Sequence, residues 1–359
     1  MRTRAWSERR PARGRRWLVA ALLALAVAAT ACEQGDEDLA SDDPLVEGAD
    51  DAATASGGLA SGLGSRAEGR TVTFIMHQDP SDPFHATIAQ GAEDAATLFN
   101  LDLNRQSSLG NQSDYVDLVA AAVADRPDAL AVVLDDPNLY TEPVCDAHEA
   151  GIPVLTFNIT QPDSPVYDCT LAFVGQDFYE VGVLVGERLL AENPDIGAGD
   201  VVFAPVEFPE EFYARQRAGG VQEALDAVGA TLDIVATDIQ DAGALDVMTQ
   251  YLLGRPDIAA VTPLGGTPHR NLVTAMNDAG VNVPVVGFDV SPQVISGIES
   301  GDIIATADQQ GYVQGFQTVA QIALLLDFGL APANINSGGA GLIDQSNVDI
   351  VAELAGEVR

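Results

Sequence analysis

From Thr71 to Ala307, short apolar runs alternate with longer stretches in which apolar residues recur every three or four positions. The short runs predict strands at residues 71–76, 101–104, 129–134, 153–157, 201–203, 231–236, 259–262, 283–288 and 303–307. Several of these are continuously apolar, as a strand covered on both faces should be. The longer spacing predicts helices at residues 83–98, 114–124, 140–150, 179–191, 211–228, 244–253, 271–279, 292–299 and 314–326. Gly151 and Gly280 follow two of them, where C-terminal glycines belong. Regular strand–helix alternation argues for parallel, doubly wound sheets. Nine units exceed one comfortable sheet, so the α/β chain is expected to form two Rossmann-like doubly wound lobes joined by a hinge of several strands.

Ahead of this pattern the composition changes twice. Seven of the 17 arginines fall within the first 16 residues, and the chain has no lysine. They precede Trp17 to Ala31, apolar except for Thr30. Fifteen residues are short for a membrane span, which needs about 20, and a basic start before an apolar run has the form of a signal peptide over residues 1–31. Ala29-Thr30-Ala31 directly before Cys32 resembles a lipobox, the site where a lipoprotein is cleaved and its cysteine acylated; alanine stands where leucine is usual. A plain secretory signal is the alternative. Residues 32–69 hold many acidic, Ala, Gly and Ser residues and no aromatic, the composition of a disordered tether. These features predict an extracytoplasmic protein, lipid-anchored to the cell membrane.

The formal charge is −36, and without residues 1–31 ten basic residues face 52 acidic ones. Such a surface repels phosphate backbones and disfavours nucleic acid as a partner. Cys145 and Cys169 remain after Cys32. An even count in an oxidising compartment allows a disulfide, and two unpaired cysteines is the other option. Neither lies in a CxxC pair, and His77, His85, His148 and His269 lack metal-ligand spacing. There is no P-loop and no Gly-x-Ser-x-Gly elbow, so neither a cofactor nor catalysis is expected.

Doubly wound sheets bind ligands at the carboxyl ends of their strands. Those ends carry residues 77–85, Asp135-Asp136-Pro137, Asn158, a loop leading to Arg215 and Arg217, and Asp289. Carboxylates and amides accept hydrogen bonds from paired hydroxyls, arginine donates two at once, and an aromatic face packs on the C–H side of a ring. That mixture suits a polyhydroxylated ligand. Each residue also has a plainer role open to it. Asp289 could cap the helix at Pro292, Arg217 could pair with Glu210 or Glu211 on the surface, Phe84 could be core, and Asp135-Asp136 could form a turn.

At these positions the chain resembles the type-I periplasmic binding proteins, the ribose-binding-like sugar receptors. Asp82-Pro83-Phe84-His85 with Gly91-Ala92-Glu93 is similar to their first ligand loop and helix, and Gly151-Ile152-Pro153-Val154 with Thr156-Phe157-Asn158 to their next. Gly175-Gln176-Asp177-Phe178-Tyr179 with Gly182 resembles a lobe crossover, and Arg217 with Gly220 a helix start. Val286-Gly287-Phe288-Asp289 with Ser291-Pro292, and Ala307-Asp308-Gln309-Gln310 with Gly315, resemble a strand end and the second hinge.

The resemblance implies lobes of residues 70–175 with 309–330 and 176–308 with part of 331–359. It implies that Phe84 stacks on a ring, that Asp82, Asp136, Asn158, Arg217, Asp289 and Gln309 hydrogen-bond it, and that Gln176 and Asp177 lie at the hinge near it. Departures from the ribose-type pattern leave the sugar unassigned. His85 stands where an aromatic is usual, Asn158 where aspartate is commoner, Gly265-Gly266 where a polar pair is found, and Gly311 in place of a hinge proline. The implied function is the receptor of an ABC importer, a monomer that closes on a monosaccharide or polyol and docks on permease subunits. A receptor feeding chemotaxis or a sensor kinase, and an extracellular enzyme on the same fold class, are the alternatives.

Overall fold

The computed structural model describes residues 64–338, 341–355 and 358. The expected signal peptide, Cys32 and the tether up to residue 63 lie outside the described residues. The last part of that tether is fixed in place. The Asp327 carboxylate accepts hydrogen bonds from the backbone N–H groups of Gly64, Arg66 and Ala67 at 2.6, 2.8 and 2.6 Å, and Ala67 is fully buried. Composition signals a tether here, but one buried acceptor on a distant helix anchors these backbone donors.

Two sheets organise the rest. The first holds β1 (Thr71–Met76), β2 (Asp102–Ser107), β3 (Ala129–Val132), β4 (Val154–Asn158), β5 (Ala172–Gly175) and β11 (Ile335–Asn336), in the order β11-β5-β4-β3-β1-β2 and parallel throughout. The second holds β6 (Val201–Val206), β7 (Thr231–Ala236), β8 (Ala260–Val261), β9 (Val286–Phe288), β10 (Ala305–Ala307) and β12 (Leu342–Asp344). Its two halves, β7-β6-β8 and β9-β10-β12, are joined by a bridge between Val261 and Val285, and only β12 runs antiparallel. The chain passes between the sheets three times: after β5, after β10 and between β11 and β12.

The helices are α1 (Pro83–Phe99), α2 (Gln112–Asp125), α3 (Pro137–Glu149), α4 (Phe178–Glu192), α5 (Phe212–Asp226), α6 (Asp241–Gly254), α7 (Gly266–Ala279), α8 (Pro292–Ser300), α9 (Gly311–Phe328) and α10 (Asp349–Ala352). Side chains of Asp82, Asn111, Asp136, Asp177 and Ser291 accept from the first free N–H groups of α1, α2, α3, α4 and α8. The cap before Pro292 is therefore Ser291, which leaves Asp289 free for another role.

The buried runs of β1, β3 and β4 build the first core, where Phe74 stacks on Phe157 at 4.1 Å. Each such ring contributes about 1.5–3 kcal/mol by burial. In each lobe two helices cross almost in backbone contact. A Cβ on Gly315 of α9 would fall 1.9 Å from the Ile88 carbonyl of α1, and one on Gly220 of α5 2.2 Å from the Tyr179 carbonyl of α4. Cys145 of α3 and Cys169 are joined by a disulfide with their Cα atoms 5.1 Å apart.

Candidate functional site

A cleft of about 560 Å³ is lined by the carboxyl-end loops of strands from both sheets. From the first lobe come residues 77–79 and 81–85 after β1, Asn158 of β4 and Gln309 just before α9. From the second come Glu207 after β6, Glu211 just before α5, Tyr213 and Arg217 of α5, Gly265, Gly266, Thr267 and Arg270 around the start of α7, and Asp289 after β9.

Arg217 is the centre of the second-lobe wall. Its place on α5 among Ala214, Ala218 and Val221 puts it on the buried face, and its side chain is 1% exposed. A buried guanidinium needs charge and acceptors around it. Nη1 donates to the Leu264 carbonyl at 2.6 Å and to Asp289 Oδ2 at 3.3 Å, and Nη2 donates to Asp289 Oδ1 at 3.4 Å. The rings of Phe178, Tyr213 and Phe288 surround it at 5.2, 5.3 and 4.5 Å. Glu210 and Glu211 are not its partners.

Asp289 takes φ +72°, a left-handed conformation that aspartate tolerates better than most residues. Its backbone N–H donates to the Ala307 carbonyl, and its carboxylate also accepts from Gln309 Nε2. Gln309 is 5% exposed and its Oε1 has no partner among the described residues. The set therefore presents a guanidinium edge, a carboxylate and a free amide oxygen to one ring-sized volume. Such a set can exchange hydrogen bonds with adjacent hydroxyls.

On the facing wall, Asp82 caps α1 and receives His85 Nδ1 at 3.0 Å. Burial pushes the Asp82 carboxyl up, but the hydrogen bond and charge of His85 outweigh it and hold it below its usual range. Phe84 lies edge-on to His85 with centroids 5.1 Å apart and packs partly on the core. His77 is buried, and burial reinforced by His85 pushes its pKa well down, so it is neutral. Asn158, at φ +61° and 4% exposed, donates to Gln314 at 3.2 Å. Gln314 in turn donates to the Gln309 carbonyl and to Ser337, which ties the cleft floor to the crossings between the lobes.

The structure thus brings Asp82, Phe84, His85, Asn158, Arg217, Gly265, Asp289 and Gln309 to one cleft. Three expected contacts stand elsewhere. Gln176 is buried in the crossing and donates to the Asp308 carbonyl at 3.4 Å, while Asp177 is exposed and caps α4. Asp136 caps α3 and lines a neighbouring cavity of about 430 Å³, which shares His77, Gln78, Gly110 and Glu211 with the cleft. The cap geometry turns Asp136 toward its own helix.

Glu207, Glu211, Tyr213 and Arg270 line the cleft without having been expected there. Glu207 Oε1 accepts from the Thr267 N–H at 2.7 Å, capping α7 in place of Gly265, which has no side chain to do so. A Cβ on Gly265 would lie 1.8 Å from Glu207 Oε2, so the glycine is what makes room for the carboxylate. Burial pushes the Glu207 pKa up. Arg270 donates to Asp241 at 2.7 Å and reaches Asp82 of the other lobe at 4.0 Å.

The family model described as "Periplasmic binding protein domain" matches residues 72–330. The chain is 29% identical over 295 residues to the xylose/arabinose-binding protein XylF of Sulfolobus acidocaldarius, covering 77% of this chain and 71% of that protein. It is 26% identical to the ribose import binding protein RbsB of Bacillus subtilis, over 64% of this chain and 73% of that one. Among solved structures, a carbohydrate transporter from Acidothermus cellulolyticus 11B in complex with myo-inositol aligns with a TM-score of 0.72 at 27% identity, over 80% of this chain and 98% of the other. GanP, a glucose-galactose binding protein from Geobacillus stearothermophilus, shares the fold with a TM-score of 0.68 at 21% identity, over 78% and 99% of the two chains.

Proposed function

Because the chain belongs to the periplasmic binding protein family, we propose that it is the extracytoplasmic receptor of an ABC importer and binds a monosaccharide or similar polyol between its lobes. The observation that carries this reading is the Arg217–Asp289–Gln309 set, in which Arg217 of α5 and Gln309 both bond Asp289 at the carboxyl end of β9, in one cleft with Phe84. Donors, acceptors and an aromatic edge converge there on a volume that fits a sugar. Relatives named for xylose, arabinose, ribose and a myo-inositol complex support the same ligand class.

In this reading the ligand contacts are Asp82, Phe84, His85, Asn158, Arg217, Gly265, Asp289 and Gln309, with Gln176 at the crossing. The three crossings act as the hinge between a lobe of residues 70–175 with 309–330 and a lobe of residues 176–308 with part of 331–359. Ligand touching both lobes favours the closed form, and the closed form docks on permease subunits as a monomer. Cys32, preceded by Ala29-Thr30-Ala31, carries the lipid that holds the receptor at the membrane.

A thermal-shift panel of monosaccharides and polyols on the mature protein tests the function. A ligand at 100 times its Kd adds about 2.7 kcal/mol to apparent stability. If no member of such a panel shifts the transition, the sugar-receptor reading is wrong.

A further inference from the structure

The cleft is short of positive charge. Both of its arginines are already engaged, Arg217 with Asp289 and Arg270 with Asp241 and Asp82. Glu207 and Glu211 line the same wall, and neither forms an ion pair among the described residues. Glu207 receives the Thr267 N–H and, at 3.3 Å, the Tyr213 hydroxyl. Glu211 makes no side-chain hydrogen bond among the described residues, although it is only partly exposed.

Glu211 also stands on the wall shared with the neighbouring cavity, where Asp135 of the other lobe faces it. Burial and the repulsion of Asp135 and Glu207 lift its pKa to about 7. Arg215 lines that cavity, but its guanidinium donates to the Glu210 carbonyl. Like charges from opposite lobes therefore meet there, and a positive group entering between them would relieve the repulsion. A second observation points to a donor-bearing ligand. Gln309, 5% exposed, and His77, 7% exposed, line the cleft, and Gln309 Oε1 and His77 Nδ1 have no partner among the described residues.

We propose that Glu207 and Glu211, in the space opened by Gly265, form a subsite for a positively charged group, and that the cleft selects an amine-bearing sugar or polyol over its neutral and acidic counterparts. This rests on the sugar-receptor reading and sharpens it. An ammonium in the subsite pairs with two carboxylates at once and relieves the repulsion between lobes. A carboxylate or phosphate there faces two carboxylates, while Arg217 and Arg270 are already paired, so uronates and sugar phosphates are disfavoured.

The test is calorimetry on the mature protein with matched sets: a hexose, a pentose and an inositol, each as the neutral compound, its amine and its carboxylate. In any set that binds, the amine should bind about tenfold or more tightly than the neutral compound, and the carboxylate about tenfold or more weakly. Glu211→Gln, whose carboxylate supports no hydrogen bond of the fold, should bring the amine-to-neutral ratio to within about threefold, and Glu207→Gln should lower it as well. An amine that binds no better than its neutral partner in every binding set overturns the proposal and leaves the sugar receptor standing. An unchanged ratio in both variants also overturns it. No binding in any set overturns both readings.

Discussion

Replacing Asp289 by asparagine removes one charge and little else. Asparagine tolerates the left-handed backbone at φ +72° and keeps one oxygen for Arg217 or Gln309. What remains is a guanidinium 1% exposed without its counter-charge. At 3.3 Å and an effective dielectric of about 20, the attraction lost is about 5 kcal/mol before solvation is counted. Removing one partner of a buried pair costs about 3–5 kcal/mol net. The Leu264 carbonyl, three rings and the remaining amide oxygen retain part of that, so the expected loss of folding stability is about 2–3 kcal/mol. Arg217→Met should cost less, about 1–2 kcal/mol, because Asp289 is 12% exposed and still receives Gln309. Urea unfolding followed by circular dichroism without ligand measures both, and calorimetry should show each variant losing about 1.5–3 kcal/mol of sugar affinity. If Arg217→Met destabilises the unliganded protein as much as Asp289→Asn, the guanidinium does not depend on Asp289 and the account of the pair is refuted.

Four further outcomes are expected. The Glu211 pKa, about 7 in the folded protein, lies above its ordinary 4.5, so the stability it contributes is full below about 4.5 and lost as pH rises through about 7. Glu211→Gln should therefore match wild type at the acid end and exceed it above pH 7 by on the order of 1–2 kcal/mol; equal stability across that range in urea titrations would count against the buried, repelled carboxylate. The Cys145–Cys169 disulfide closes a separation of 24 residues, so a double serine variant should lose about 3 kcal/mol, seen as a lower Tm. Gly220→Ala should force α4 and α5 apart and cost about 1–3 kcal/mol, and a rise in Tm would show that the crossing has slack. Cys32→Ser should release the protein from membranes and abolish labelling by a radioactive fatty acid, whereas retained label would place the anchor elsewhere.

Much of the fold is legible because long strands and helices declare their periods. Residues 71–76 and 231–236 are strands in the structure as well. What escapes is short. β5, β11 and β12 have four, two and three residues, too few for a pattern to repeat, and partners from the rest of each sheet define them. The strand expected at 201–203 runs on to Val206 through Pro205. The carbonyls of Val201, Phe203 and Pro205 all face the β8 side, so the proline nitrogen points where β8 has already ended and costs no ladder bond.

That misjudged strand end hid Glu207. A strand known to reach Val206 places Glu207 at its carboxyl end, the position that the ligand rule selects. Arg217 was findable by motif, but its burial follows from its helical neighbours and not from its own chemistry. The placing of Asp136 differed because a carboxylate before a proline-led helix can serve its own helix first. Gly311, which stands in place of a hinge proline, is packed so tightly at the start of α9 that a Cβ would lie 2.2 Å from Thr87 Oγ1.

The most direct measurement is a crystal structure of the mature protein with the tightest-binding sugar or polyol from the panel. The account predicts ring hydroxyls within hydrogen-bond distance of Arg217, Asp289 and Gln309, with Phe84 against the C–H face. A sugar bound in the neighbouring cavity beside Asp136, or anywhere that leaves Arg217 and Asp289 untouched, would contradict it.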